Sequence, residues 1–558
     1  MRKEKDIIEL MPTGIPLARN GATEYCIIVP ENGEREAFAA SELALFFGKA
    51  TGAELKTVND TDAVWYEGTK YISIGRNRLA ESAGVSPNAD LGRSGFNITT
   101  RGDSVFLLGQ TGDAALYAVY GFMRYTFGFE AYAADECAYT KSESLNLIKM
   151  SVRKKPAFDL RLPGSSMVSS NPVYAARLRM KTGQTFMRVD PDNWQNLATT
   201  LLFIPKSEFW ETRRDYYNQL GDDVNFANKE MLAVALERMK EAVRRNPDTE
   251  FIMFGQQDGA SWDTGSVSRE IIWEYGANAA TAVLAGNYFA RGLREWLAAE
   301  QPGRRVKVGI FAYLFTMPPP AVADGRGGYR PAGDAMLCDE DLFVFLAPMG
   351  TDYKYAYDDP NNYAPVNAIR AEAVKGWSAL TDNLLIWGYQ TNFRNLLTHF
   401  NSYETMQGLY QFYEKYGGFG LFDQGQTGGN RGGTAFSELK QYLSSKLMWD
   451  TGADFEALAA AFIDNFYGAA AAPMKEYYAS VREHIKDMDG RIYFDLLDAE
   501  LWPKAKAGEW ARLFDRAYRL IEPTRETDKE RYETLRNRLD KERLAVLYIL
   551  IELYPDYF

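Results

Sequence analysis

Between residues 155 and 450 one rhythm dominates the sequence: short apolar runs alternate with longer stretches whose apolar residues recur at helical spacing. Such alternation marks successive βα units, which bury a parallel sheet behind helices and leave few other architectures open. The runs fall at Phe158–Leu162, Thr185–Val189, Thr200–Ile204, Glu250–Phe254, Val306–Tyr313, Leu342–Leu346, Leu384–Gly388 and Phe419–Phe422. About eight strands are what a closed (β/α) barrel needs, and the length of the segment suits one. The second and third runs lie too close for a helix between them, so the pattern predicts an α/β fold built on a (β/α)8 TIM-type barrel with one degenerate unit.

The flanking segments read differently. Residues 1–150 predict an N-terminal α/β sandwich domain, with strands at Tyr25–Pro30, Tyr71–Gly75, Phe96–Thr99 and Ser104–Gly109. Arg35–Thr51 carries Phe38, Leu43, Phe46 and Phe47 at helical spacing and stops at Gly52, a residue suited to the left-handed end of a helix. Ala114–Met123 is apolar nearly all round and is expected to lie buried against the sheet. Residues 451–558 are Ala-rich, charged and Leu/Tyr-periodic, which predicts a helical C-terminal domain. A chain of 558 residues is too long for one ordinary domain, and the three parts 1–150, 155–450 and 451–558 account for it.

Charge and rare residues narrow the function classes. Lys plus Arg number 63 against 75 Asp plus Glu, a net charge of −12, which argues against nucleic acid or an anionic membrane as the main partner. No secretory signal stands at Met1–Pro12 and no run of ~18 apolar residues is present, so a cytoplasmic protein without a membrane partner is expected. Cys26, Cys137 and Cys338 are far apart, and only two histidines, His399 and His484, exist. Neither a disulfide framework nor a multi-histidine metal centre is expected, and no metal or cofactor. Acid–base chemistry then falls to carboxylates, tyrosine or lysine. Homo-oligomerisation is compatible with all of this.

Several motifs carry a resemblance. Ala39-Ala-Ser-Glu-Leu43 with Thr51-Gly52, Ile72-Ser-Ile-Gly75, and Leu116–Phe122 with Phe127-Gly128 resemble the N-terminal α/β domain of α-glucuronidases and hexosaminidases. Pro156–Arg161, Gln256-Gln-Asp-Gly259, Gly286–Ala290 and Tyr442–Trp449 resemble the catalytic part of the domain-of-unknown-function 4838 family. Some members of that group are classed in glycoside hydrolase family 163, endo-β-N-acetylglucosaminidases. The resemblance implies a barrel glycosidase, with an oligosaccharide or glycoside as substrate. It points first to a retaining β-N-acetylhexosaminidase. An α-glucuronidase-like hydrolase of acidic sugars is the second choice, and a carbohydrate-binding protein that has lost its acid pair is the third.

Barrel enzymes place reactive groups at the C-terminal ends of strands, and those ends give the candidates. After Phe251–Phe254 come Gln256, Gln257, Asp258 and Gly259, then Trp262 and Asp263. An Asx-turn would explain Asp258-Gly259, but not two glutamines beside it. Asp258 is therefore the leading catalytic carboxylate, and Gln257 a substrate contact. Glycoside hydrolysis needs a second carboxyl group unless the sugar's acetamido group replaces it. Asp423, which ends a strand, and Asp263 are the catalytic alternatives, while Asp352 is placed among substrate-binding residues; each also fits a turn or helix cap. Trp387, Tyr389, Gln390 and Asn392 combine stacking faces with amides, as sugar sites do. Tyr313 could hydrogen-bond an oxazoline, and Arg161 could grip a sugar carboxylate. His399 reads as structural, and Gly428–Gly433 as an active-site loop without the lysine of a phosphate loop.

Overall fold

The computed structural model describes residues 6–181, 197–425 and 434–557. They divide into two compact units, the first formed by residues 1–159, 171–180 and 445–471, the second by 160–170, 181–444 and 472–558.

The first unit is built on a seven-stranded mixed sheet. Its strands are β1 (Ile7–Ala18), β2 (Cys26–Val29), β3 (Lys56–Asn59), β4 (Tyr71–Ile74), β5 (Phe96–Arg101), β6 (Ser104–Gly109) and β7 (Leu145–Lys154), in the order β1-β7-β5-β6-β4-β2-β3. Helix α1 (Glu34–Thr51) links the parallel strands β2 and β3, and α2 (Gly112–Phe127) follows β6. Gly52 ends α1 with φ +76° and donates its N–H to the carbonyl of Gly48, as the sequence predicts. Every residue of Ala114–Met123 is buried, so the all-round apolar pattern is satisfied by burial on all sides. Pattern reading assigns no strand to β1, β3 or β7. β1 carries Pro12 and Pro16, which an edge strand tolerates because its outer N–H groups need no partner.

The second unit holds a six-stranded, wholly parallel sheet: β8 (Leu160–Leu162), β9 (Phe251–Met253), β10 (Lys307–Ala312), β11 (Leu342–Leu346), β12 (Leu384–Tyr389) and β13 (Gly418–Gln424), ordered β8-β13-β12-β11-β10-β9. The first strand pairs with the last, so the sheet curls as a half-barrel. A closed eight-stranded barrel is not what the described residues form. The predicted strand Thr200–Ile204 is instead a short helix, Thr200–Phe203, and Thr185–Val189 lies outside the described residues. A short apolar run does not by itself distinguish a buried strand from a buried helical turn. Here the hydroxyl of Thr199 donates to the carbonyl of Met253 at 2.7 Å and that of Thr200 to Asp223 at 2.6 Å, side-chain bonds that fix the turn.

Alternate residues of the six strands meet on the concave side, where Leu160, Met253, Phe311, Phe343, Phe345 and Leu385 form one buried cluster. Gly309 faces the same way. A Cβ there would come within 2.1 Å of the Phe343 ring and 2.3 Å of the Met253 sulfur, so two large side chains fill the space that this glycine leaves. The rest of the unit includes the helices Ala471–Ile485, Lys504–Ile521 and Lys529–Leu553, in line with the helical C-terminal region expected. No described helix is long and apolar enough to cross a membrane.

Candidate active site

A cavity of about 330 Å³ opens over the C-terminal ends of the curled sheet. Its polar end is made by neighbouring strands. β9 and β10 run parallel in register, so the loops that follow them meet, and the Tyr313 hydroxyl donates to Asp258 Oδ1 at 2.8 Å. Gln256, buried between them, fixes the spacing: its Nε2 donates to the Tyr313 carbonyl at 3.1 Å, and its Oε1 accepts from the Thr316 hydroxyl at 2.7 Å. Gly259 takes φ +69°, the left-handed conformation that lets the chain turn directly after Asp258. Asp258 itself is exposed at the rim. Burial, and then the bond to Asp258, push the Tyr313 hydroxyl well above the usual phenol range, so it stays a neutral donor.

Aromatic rings supply the remaining walls. Trp387 lies on the floor, 5.2 Å from Phe345 and 4.9 Å from Phe422 between centroids, with Nε1 donating to Gln424 Oε1 at 2.9 Å. Tyr389 is fixed through its backbone, whose N–H donates to the Tyr353 hydroxyl at 2.8 Å. Phe393 and Tyr493 pack at 5.7 Å. The segment carrying Tyr493 is held by Asn392, whose Nδ2 donates to the carbonyls of Arg491 at 3.2 Å and Phe494 at 2.9 Å, and by a Phe393 N–H bond to the Ile492 carbonyl at 2.7 Å.

Of the residues singled out from sequence, Asp258, Tyr313, Trp387 and Tyr389 come together in this cavity. The others stand elsewhere. Gln257 turns away, its N–H on Asp223 at 2.8 Å and its Nε2 on the Thr200 hydroxyl at 2.9 Å. Asp263 is buried and accepts from Gln219 Nε2 at 2.7 Å, from the Gly265 N–H at 3.2 Å and from the Ser268 hydroxyl, which ties down the start of helix Ser266–Tyr275. Trp262 stacks on Phe226 at 4.8 Å. Asp352 accepts the N–H groups of Lys354 and Gly490, both at 3.1 Å. Arg161 is buried within β8. Asn392 positions the Tyr493 segment from outside the lining.

Asp423 and Gln390 form a second polar centre. On β13, Phe422 joins the concave cluster and Asp423 faces the other way. There Asp423 Oδ2 accepts from Gln390 Nε2 at 2.8 Å and from the Tyr410 hydroxyl, which lies 2.9 Å from the Ser444 hydroxyl. Burial raises the Asp423 carboxyl to about 6, against the opposing pull of Tyr410, Gln390 and Lys440. Lys440 Nζ, also buried, donates to the carbonyls of Gln390 at 3.1 Å and Phe400 at 2.9 Å. His399 lies against Tyr477, Nε2 to hydroxyl 2.6 Å, and burial lowers it to about 3, so it is neutral.

Sequence reading misses Phe311, Met349, Phe393, Gln424 and Tyr493 as lining residues. Gln424 was within reach, since it follows Asp423 in the alternation that turns one inward and the other outward. Tyr493 lies beyond the last strand and gives no local signal. No group of three or more His, Cys, Asp or Glu able to hold a metal ion occurs among the described residues.

Residues 131–480 match the model of the domain of unknown function DUF4838, and the chain belongs to this family. No curated protein matches it. Similar solved structures include CpGH84D, at 10% identity with a TM-score of 0.48 over 98% of this chain and 89% of that one. CpGH84B is 12% identical, with a TM-score of 0.44 over 95% and 87% of the two chains. A GH138 enzyme targeting pectin rhamnogalacturonan II is 11% identical, with a TM-score of 0.45 over 95% and 69%.

Proposed function

We propose that this protein is a retaining glycoside hydrolase of the β-N-acetylhexosaminidase type, acting on a neutral acetamido sugar in the cavity over the curled sheet. The observation that carries the reading is the Tyr313–Asp258 hydrogen bond of 2.8 Å at the polar end of an otherwise aromatic cavity of about 330 Å³. Sugars stack their C–H faces on aromatic rings and give their polar groups to a few fixed partners, which this lining supplies. Among the described lining residues Asp258 is the single carboxylate, and none is a cation. The lack of a cation among the described lining residues favours a neutral sugar over a glucuronide. One carboxylate suits a reaction in which the substrate supplies its own nucleophile. The acetamido oxygen attacks the anomeric carbon as the bond to the leaving oxygen breaks, Asp258 accepts the acetamido N–H, and water then opens the ring so formed with net retention.

The single carboxylate also supports a second reading, sugar binding without turnover, because a poor leaving group needs a proton from an acid. Dinitrophenyl glycosides separate the two, since their leaving group departs without a proton. The first reading expects turnover of the dinitrophenyl β-N-acetylglucosaminide but not of the matching glucoside or glucuronide. Binding of N-acetylglucosamine with no turnover of any of the three would establish the second.

A further inference from the structure

Gln424, the last residue of β13, lines the cavity over the curled sheet, and a neighbour on the adjacent strand fixes which way its amide faces. Trp387 and Tyr389 alternate onto the same side of β12, and Tyr389 stands level with Gln424 in the parallel register. The indole Nε1 of Trp387 meets the Gln424 side chain at 2.9 Å. An indole N–H only donates, so the amide atom it meets has to be the oxygen. The amide nitrogen, with two N–H groups to give, then has no partner among the described residues. The same holds for the Tyr389 hydroxyl beside it, although Tyr389 is only 5% exposed. Polar groups turned into a cavity in this way are satisfied by water or by a ligand.

Gln424 and Asp258 differ in place and in kind. Three strands, β12, β11 and β10, stand between β13, which ends in Gln424, and β9, whose following loop carries Asp258. In the proposed reaction Asp258 accepts the acetamido N–H. Gln424 Nε2 is a donor, so its partner on the sugar has to be an oxygen.

We propose that Gln424 is a specificity-determining residue, its Nε2 donating to a ring hydroxyl oxygen of the same sugar whose acetamido N–H lies on Asp258, with Trp387 holding the amide in that orientation. The inference rests on the acetamido-sugar reading and gives it a second point of recognition. A site built to hydrogen-bond a hydroxyl rejects the analogue that lacks it, because the donor is then left unpaired.

Calorimetric titration of the full-length protein with methyl β-N-acetylglucosaminide and its 3-, 4- and 6-deoxy and deoxyfluoro analogues tests this without any need for turnover. Fluorine accepts weakly and never donates, whereas hydrogen does neither. At one of the three positions the deoxy sugar should bind about tenfold more weakly than the hydroxyl form, with the fluoro sugar between them. Gln424→Leu should weaken the methyl glycoside about tenfold and erase the differences among the three forms at that position. Gln424→Glu keeps an oxygen for Trp387 but turns an acceptor toward the sugar, so the fluoro form should become the weakest of the three. Far-ultraviolet circular dichroism checks that both variants fold. Equal binding of the three forms at every position in the parent would overturn the proposal, and so would parental selectivity in both variants; either result leaves the acetamido-sugar reading standing. A parent that binds none of these sugars would overturn that reading and this inference together.

Discussion

The concave mouth of the curled sheet and the layer behind β13 each hold a carboxylate beyond or at a strand end, and the two are furnished in opposite ways. Asp258 is exposed, has a tyrosine hydroxyl on one oxygen, and borders a cavity large enough for a sugar ring. Asp423 is buried, receives Tyr410 and Gln390 on one oxygen, and has Lys440 as a charged neighbour. A carboxylate whose surroundings already satisfy it stabilises the fold, while one that borders open space is available to a substrate. Position at a strand end is therefore a weaker guide than the face on which the side chain emerges.

The sharpest way to break the contrast is to make the same change on both sides. Asp258→Asn should lower kcat on an activated N-acetylglucosaminide by about 10²–10⁴-fold, the scale of a lost acid–base partner, with the denaturation midpoint unchanged. Asp423→Ala should do the reverse. It strips the counter-charge from buried Lys440 and leaves the Tyr410 hydroxyl and Gln390 amide without their acceptor, at a cost of about 3–5 kcal/mol. Urea denaturation reads this loss, and the fraction that folds should retain turnover. If Asp423→Ala abolished turnover in fully folded protein, the two roles would have to be exchanged.

Acidity distinguishes the two regions further. Burial holds Asp423 near 6 in the folded protein, above the value of about 3.9 expected when unfolded, so between these limits the native state binds more protons than the unfolded one. Its contribution to stability is therefore fully present below about pH 4 and declines as the pH rises through 6. Set against Asp423→Asn, which does not titrate, the parent should gain on the order of 1–3 kcal/mol as the pH falls from 6 to 4. Urea midpoints across that range check this. A difference that stayed flat, or grew with rising pH, would mean that Asp423 stays ionised across that range.

Much of this arrangement is legible in the amino-acid sequence. Leu342–Leu346 and Leu384–Tyr389 are continuous apolar runs because both faces of a parallel strand are covered, and they stand out for that reason. The Gln256-Gln-Asp-Gly259 quartet announces a polar strand end, and the aromatics at the end of β12 announce a wall. What the pattern does not carry is direction. Asp423 and Gln424 are adjacent and equally polar, yet alternation sends the carboxylate behind the sheet and the amide into the cavity. Nor does it carry long-range ties. Asp263 and Asp352 look like reactive carboxylates until their backbone partners at Gly265 and Gly490 are known, and Asn392 becomes intelligible only through its bonds to Arg491 and Phe494, about a hundred residues onward in the chain.

That last tie offers the mildest test of the mouth. Tyr493 is the lining residue supplied from beyond the last strand, and it is 59% exposed, so its ring would contribute contact rather than chemistry. Tyr493→Ala should raise KM about three- to tenfold, the worth of one stacking partner, with kcat held within about twofold. Asn392→Ala should produce the same KM change without touching substrate, because it frees the Arg491–Phe494 segment that presents the ring. The double variant should then be no worse than Tyr493→Ala alone, since residues acting through one another are not additive. Additive KM effects would show instead that Asn392 bears on the cavity by some route other than Tyr493.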